Sequence, residues 1–199
     1  MLYKPSGCHD TSCAQTYTGQ EPVLMDHAVV RYKIRPDILW SDGENLTAGD
    51  SQYAYEVAAS LFPEVKAEII ARTLNYFEHD PSTIVWETNP GFLPSDYVNS
   101  FFPLLPEHAW GALSVEELFL SDMANRTPLG WGAYTVNEWV PGSHISLIKN
   151  FNYFRSDDGL PKFDHLIFRF TSSTDEVLAL LSDGDHDYIS KSALLDLDK

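Results

Sequence analysis

The sequence is poor in positive charge. Its 199 residues carry 13 Lys and Arg against 29 Asp and Glu, a formal net charge of −16. Such a surface repels phosphate backbones and anionic lipid, which argues against nucleic-acid and membrane-surface partners. Long hydrophobic runs are missing too. Val177-Leu178-Ala179-Leu180-Leu181 is typical of the longest, and it is far too short to span a bilayer. The opening residues, Met1-Leu2-Tyr3-Lys4-Pro5-Ser6-Gly7, lack the apolar stretch of a secretory leader, so the chain is either cytoplasmic or a piece of something longer. Cysteine is scarce: Cys8 and Cys13 stand alone in a Gly/Ser/Thr-rich loop. A local disulfide fits this spacing and implies an oxidising compartment. Free thiols remain open. So does half a zinc site, although no second Cys pair exists and the nearest histidine, His9, lies inside the loop.

Catalytic signatures are also lacking. There is no Gly-x-Ser-x-Gly elbow, no Gly-rich phosphate loop with Lys and no His-Glu-x-x-His. Gly130-Trp131-Gly132 has no third glycine, so it is not a dinucleotide fingerprint. Asp183-Gly184-Asp185-His186-Asp187 starts like a calcium loop, but Tyr188 stands for the required Gly and Leu194 for the required Glu. The 7 histidines are scattered. His79 and His165 each neighbour an Asp, but neighbours along a strand point to opposite faces. Asn45-Leu46-Thr47 and Asn125-Arg126-Thr127 match the glycosylation pattern, at a level that chance supplies.

What is present is a full complement of apolar and aromatic residues. Hydrophobic residues make up 44% of the chain, enough for a core. The aromatics number 5 Trp, 10 Tyr and 11 Phe, and many fall between residues 97 and 153. Rings at these positions serve either a ring-rich core or a ligand cleft, where they give large contact area at small entropic cost.

Periodicity outlines the elements. Residues 1–26 read as irregular, punctuated by Pro5, Gly7, Gly19 and Pro22. Residues 27–35 alternate, with Val30, Tyr32 and Ile34 on one face and Arg31, Lys33 and Arg35 on the other, as in a half-buried strand. Trp40-Ser41-Asp42-Gly43 is a turn. Thr47 then caps a helix, with Asp50 at the capping-box position and Tyr53, Ala54, Val57 and Leu61 at helical spacing. Pro63 stops that helix, and a second helical patch covers residues 64–70. Residues 73–78 and 83–88 form a strand pair. A short helix is expected over 95–102, and Ser114 opens another through a Ser-x-x-Glu box. A hairpin follows over 133–140 and 144–149, then a strand over 163–170. A helix from Ser173 or Thr174 turns Val177, Leu178 and Leu181 inward and stops at Gly184, and a last short strand covers 187–189. No repeat or low-complexity tract occurs. Short helices mixed with strands indicate a mixed α/β (α+β) fold rather than a doubly wound nucleotide fold.

The order of these motifs resembles the extracellular solute-binding proteins of family 5, the peptide-binding components of ABC importers. Tyr32-Lys33-Ile34-Arg35 precedes Leu39-Trp40-Ser41-Asp42-Gly43-Glu44-Asn45-Leu46-Thr47-Ala48-Gly49-Asp50, similar to the family's aromatic, Asp-Gly and Thr-Ala-x-Asp run, with Asn45 where Pro is usual. Pro128-Leu129-Gly130-Trp131-Gly132-Ala133-Tyr134 resembles its Gly-x-Gly-Pro-Tyr segment, with Ala133 for Pro. Glu138-Trp139-Val140-Pro141-Gly142 and Leu147-Ile148-Lys149-Asn150-Phe151-Asn152-Tyr153-Phe154 are similar to its strand pair ending in Asn-Pro-x-Tyr-Trp. The stretch 180–187 resembles its Leu-x-x-Gly-Glu-x-Asp element, with Asp185 for Glu.

The resemblance implies a lobe of the type II periplasmic-binding-protein kind with an inserted subdomain, truncated so that the second lobe is missing. Residues 1–127 would hold the N-terminal part of lobe I with the subdomain, and residues 128–199 its continuation. It implies a binding protein rather than an enzyme, with no cofactor and no metal. The partners would be a peptide ligand, an ABC permease and the second lobe of the same protein, and the location extracytoplasmic, periplasmic or as a cell-surface lipoprotein. Two lobes close on ligand by a hinge, and the main charge-reading residues fall in the other lobe. In this chain Trp131, Tyr134, Tyr153 and Asp187 are the candidates for the cleft or hinge. Trp40, Asp42, Gly43, Thr47 and Asp50 are turn and cap residues. Nickel, haem or an oligosaccharide are alternative solutes on the same scaffold, and a hydrolase is the remaining alternative. A face meant for a second lobe should expose apolar surface. Light scattering at high concentration is expected to show association; a clean monomer would contradict this.

Overall fold

The computed structural model describes residues 2–61, 64, 66–184 and 187–189. Among these, three small antiparallel sheets carry six short helices. Pro63, Asp185, His186 and Leu194, which figured in the sequence reading, lie outside the described residues.

The N-terminal segment is not wholly irregular. β1 (Leu2–Tyr3) pairs with β2 (Gln15–Thr16), and a Cys8–Cys13 disulfide closes the loop between them. Asp26 accepts hydrogen bonds from Ser6 Oγ and Gly7 N, which ties the loop to the chain leading into the next strand.

In the second sheet burial alternates along the first strand and is nearly continuous along the central one. β3 (Val29–Lys33) lies beside β5 (Thr83–Thr88), and β4 (Thr73–Asp80) lies on the other side of β5. Val30 faces Trp86, Tyr32 faces Ile84 and Tyr76 faces Trp86, so the apolar residues of three strands share one face. There α1 (Ala48–Leu61) packs with Ala48 and Ala54, and Phe102 completes the core with Ile84 and Trp86, both fully buried. The polar groups in this core are satisfied. Ser51 Oγ bonds Tyr76 Oη at 2.8 Å and donates to Phe102 O at 2.7 Å.

α1 begins where the sequence places it. The Asp50 carboxylate accepts from Thr47 N at 2.9 Å, which is the acid half of a capping box. The next helix, α2 (Ala67–Ala71), starts later than residue 64. Lys66 ahead of it has left-handed backbone (φ 57°). Its ammonium donates to Asn99 O and Phe101 O, and sits 4.9 Å from the centre of the Phe102 ring. These contacts hold the conformation against its steric cost.

Three short helices follow: α3 (Glu107–Trp110), α4 (Val115–Leu120) and α5 (Asp122–Asn125). Ser114 forms the expected capping box with Glu117. The helix expected over 95–102 is reduced to one 3-10 turn, Val98–Ser100. Trp110 and Leu118 bury against Val57 of α1 in a second apolar cluster.

The third sheet is a meander. β6 (Tyr134–Val140), β7 (His144–Lys149) and β8 (His165–Arg169) pair in sequence order. α6 (Thr174–Ser182) follows, with the Ser173 side chain capping its N-terminus. Only part of the inward-facing stripe expected on α6 is covered. Val177 is buried, whereas Leu178 and Leu181 are 42% and 46% exposed. Phe163, Ile167, Phe168 and Phe170 are exposed as well, in and around β8. Residues 187–189 pair with no strand among the described residues, so the last strand expected there is absent. Among the described residues β8 is therefore an edge strand.

Asp50 is buried and answers donors from three segments. Replacing it by Ala leaves those donors without a partner, and a loss of about 3 kcal/mol is expected. Urea denaturation with an unchanged m-value would measure it, and a loss below ~1 kcal/mol would show that water replaces the carboxylate.

Candidate functional site

Two loop systems meet at Trp131. The first is the turn Trp40-Ser41-Asp42-Gly43. Gly43 N donates to Trp40 O at 2.9 Å, and Gly43 sits at φ +98°, where a side chain is strained. Trp40 is fully buried, and its indole N–H donates to Asp50 Oδ2 at 3.1 Å. Asp50 Oδ1 accepts from Glu107 N at 3.0 Å, so one carboxylate fixes the Trp40 turn, the start of α1 and the start of α3.

The second system brackets the β6–β7 pair at its open end. Residues 130–133 run into β6, and residues 150–154 leave β7. Asn150 is buried and joins the two. Its Nδ2 donates to Gly132 O at 2.8 Å and its backbone N–H to Ala133 O at 2.9 Å. Its Oδ1 accepts from Asn152 N at 2.9 Å, which folds the chain back on itself.

Ser41 links the two systems through both of its backbone groups. Its N–H donates to Gly130 O at 2.8 Å, and its carbonyl accepts from Asn152 Nδ2 at 3.0 Å. Above this junction the Trp131 ring stands edge-on to Trp40, with centroids 5.1 Å apart. The Arg35 guanidinium lies over the Phe154 ring at 5.1 Å, and Phe154 meets Tyr153 at 4.8 Å.

The structure brings three of the four sequence-predicted site residues to this junction. Trp131 is half-buried on Trp40. Tyr134 opens β6 opposite Lys149, and its hydroxyl donates to Phe163 O at 3.0 Å. Tyr153 N donates to Asn150 O at 3.2 Å. Asp187 is exposed beyond α6, and no hydrogen bond joins it to the other three. Asn150, Asn152 and His108 were not singled out from the sequence. The Asn-x-Asn spacing at a strand end is a turn signal that could have found the first two. His108 carries no such signal, because its partner Asp42 lies 66 residues away.

His108 Nε2 stands 2.9 Å from Asp42 Oδ2. Burial works to raise the Asp42 carboxyl, but the His108 hydrogen bond and the Glu44 N–H outweigh it and hold the group below the usual carboxylate range. Next to this pair is an open recess of about 480 Å³ lined by Glu44, Asn45, Thr47, Asp50, Glu107 and His108. A smaller cavity of about 180 Å³ lies on the N-terminal segment, among Lys4, Cys8, His9, Asp26 and Phe92. Among the described residues no group of three or more His, Cys, Asp or Glu is arranged to hold a metal ion. No helix of the described residues is long and apolar enough to cross a membrane.

This arrangement of sheets and helices is part of a type II periplasmic-binding-protein fold, as its likeness to solved structures shows. The oligopeptide-binding protein AppA of Bacillus subtilis, solved in complex with a nonapeptide, matches with a TM-score of 0.65 at 22% identity, over 79% of this chain and 31% of that one. An oligopeptide-binding protein of Thermotoga maritima bound to mannohexaose matches with a TM-score of 0.63 at 21% identity, over 98% of this chain and 36% of that one. The family model for bacterial extracellular solute-binding proteins, family 5 (Middle), matches residues 22–199, and the chain belongs to that family. In sequence it is 28% identical over 150 residues to a Brucella ovis protein named as an ABC transporter peptide-binding protein. It is 23% identical to AppA over 165 residues. The chain spans 27% of the Brucella protein and 30% of AppA.

Asn152→Ala removes the side-chain bond to Ser41 O while leaving the backbone link to Gly130. A loss of about 1 kcal/mol is expected, with faster amide exchange at Ser41. Unchanged exchange there would show that the Ser41–Gly130 bond holds the junction alone.

Proposed function

We propose that this chain forms part of an extracytoplasmic receptor that captures peptides for an ABC importer, and that it is not an enzyme. The observation that carries this reading is the family match across residues 22–199. Relatives in sequence are named as peptide- or oligopeptide-binding, and the solved AppA holds a nonapeptide. On this reading residues 1–127 belong to the N-terminal part of one lobe with its inserted subdomain, and residues 128–199 continue that lobe. Trp131, Tyr134, Tyr153 and Asp187 stand at the cleft or hinge. The permease and a second lobe are the partners.

The chemistry of the junction supports the assignment of roles. Trp131 is half-exposed on a rigid support, since Trp40 beneath it is held by Asp50. A ring so placed offers contact area to a ligand without ordering itself first. A second reading, an oligosaccharide as solute, is favoured by one observation: the Thermotoga neighbour holds mannohexaose. Aromatic faces suit sugar rings as well as peptide backbones, so the fold does not decide between them.

Titration of intrinsic Trp fluorescence with mixed di- to pentapeptides, and separately with mannohexaose, tests both readings. The chain alone is expected to bind peptide weakly, because the scaffold places half of the cleft on the other lobe. Trp131→Ala should abolish the fluorescence response. Submicromolar binding by this chain alone would overturn the need for a second lobe. A response to mannohexaose without one to peptides would replace the peptide assignment.

A further inference from the structure

Two routes to the Trp131 ring begin at His108. The His108 ring lies 6.1 Å from the Trp40 ring, and Trp40 meets Trp131 edge-on at 5.1 Å. The other route is backbone. His108 Nε2 is 2.9 Å from Asp42 Oδ2. Asp42 adjoins Ser41, whose N–H donates to Gly130 O at 2.8 Å, and Gly130 adjoins Trp131.

We propose that His108 is a positioning residue for Trp131: its protonated ring clamps Asp42 and so holds the Trp40–Gly43 turn beneath Trp131, and this hold slackens as His108 loses its proton. The proposal rests on the receptor reading only in taking Trp131 as a ring that meets ligand.

The clamp has a fixed base. α3 is anchored at its start by Glu107 N, which donates to Asp50 Oδ1 at 3.0 Å, and at its end by Trp110, buried beside Val57. Asp42 is exposed at the rim of its turn, where its Oδ1 accepts from Glu44 N at 3.2 Å. The groups around His108 are acids. Asp42 comes from the turn, Glu44 from the residues after it, Asp50 from α1 and Glu107 from α3 itself. Among the described residues no Lys or Arg pairs with any of these four. Asp50 is already committed to the Trp40 indole, Thr47 N and Glu107 N. His108 is thus the cation that Asp42 can draw on.

A hydrogen bond between a carboxylate and an imidazole shortens and strengthens when the ring is charged. Histidine is the side chain whose charge changes between about pH 5 and pH 8. Burial works to raise the Asp42 carboxyl, but its hydrogen bonds hold it below the ordinary 3.8, so it stays charged across that range. The clamp therefore has two limits. It is lost at low pH as pH falls through the folded value of Asp42, and it weakens at higher pH as His108 gives up its proton. Burial, and then Asp50, Glu56 and Glu78, push the Glu107 carboxyl up, so the titration of Glu107 must be told apart from that of His108.

Proton and nitrogen-15 NMR of the 199-residue chain between pH 5.5 and pH 8 tests the clamp. The protection factor of the Ser41 amide is expected to fall about threefold toward pH 8, the weight of an exposed ion pair. The Trp131 indole N–H should become more mobile over the same range, read by its heteronuclear NOE. Both changes should share the midpoint of the His108 Cε1 proton. No change, or a different midpoint, would overturn the proposal, and this arm needs no variant to fold. His108→Gln keeps a donor without the charge and should hold both readings at their wild-type pH 8 values throughout. His108→Lys restores the charge and should hold them at their acid values. Equal loosening in the two variants would show a merely structural imidazole and overturn the proposal. Glu107→Gln should leave the wild-type profile in place; a flat profile there would assign the effect to Glu107 and overturn it too. None of these readings uses a ligand. Silence toward peptides in the fluorescence titration would remove the receptor reading and leave the clamp standing, whereas a pH-independent Ser41 and Trp131 would remove the clamp alone.

Discussion

The buried carboxylate of Asp50 is the constraint on which the rest of this structure hangs. A charge taken out of water survives only when hydrogen bonds replace its hydration. Asp50 obtains them from the Trp40 indole, Thr47 N and Glu107 N. Each donor belongs to a different piece of backbone: a turn, a helix start and a second helix start. One carboxylate thereby sets where Trp40 sits, and Trp40 in turn supports the Trp131 ring. The junction between the second sheet and the meander inherits its geometry from a helix cap.

Local elements were legible in the sequence because local physics specifies them. The alternation of Val30, Tyr32 and Ile34 marked a half-buried strand, and the register with Ile84 and Trp86 follows from it. Thr47 with Asp50 and Ser114 with Glu117 announced their helices through capping chemistry. The α2 start was not legible, because Lys66 adopts left-handed backbone in favour of contacts with residues 99, 101 and 102. Leu178 and Leu181 were assigned to the interior on periodicity alone. Their stripe exists, but the described residues leave it uncovered.

The candidate site was legible in part, and unevenly. Trp131, Tyr134 and Tyr153 were found through the resemblance of their segments to a family, not through any chemistry in the residues themselves. Asn150 and Asn152 were read as members of such a segment, but not as the residues that hold the segments together, since their hydrogen-bond partners are backbone atoms whose positions only the fold reveals. Asp187 is exposed and without a hydrogen bond to the junction. Family membership accounts for why the chain has aromatic and acidic residues in this order.

The Asn152–Ser41 bond joins residues 111 positions apart, whereas the meander pairs only strands that follow one another. Pairing between sequence neighbours closes short loops and is fast; closing a loop of such length is slow and brings little return until both ends are already shaped. The junction under Trp131 should thus be a late event in folding. On the way there, the chain carries the formed meander, with Trp40 and Trp131 not yet in contact.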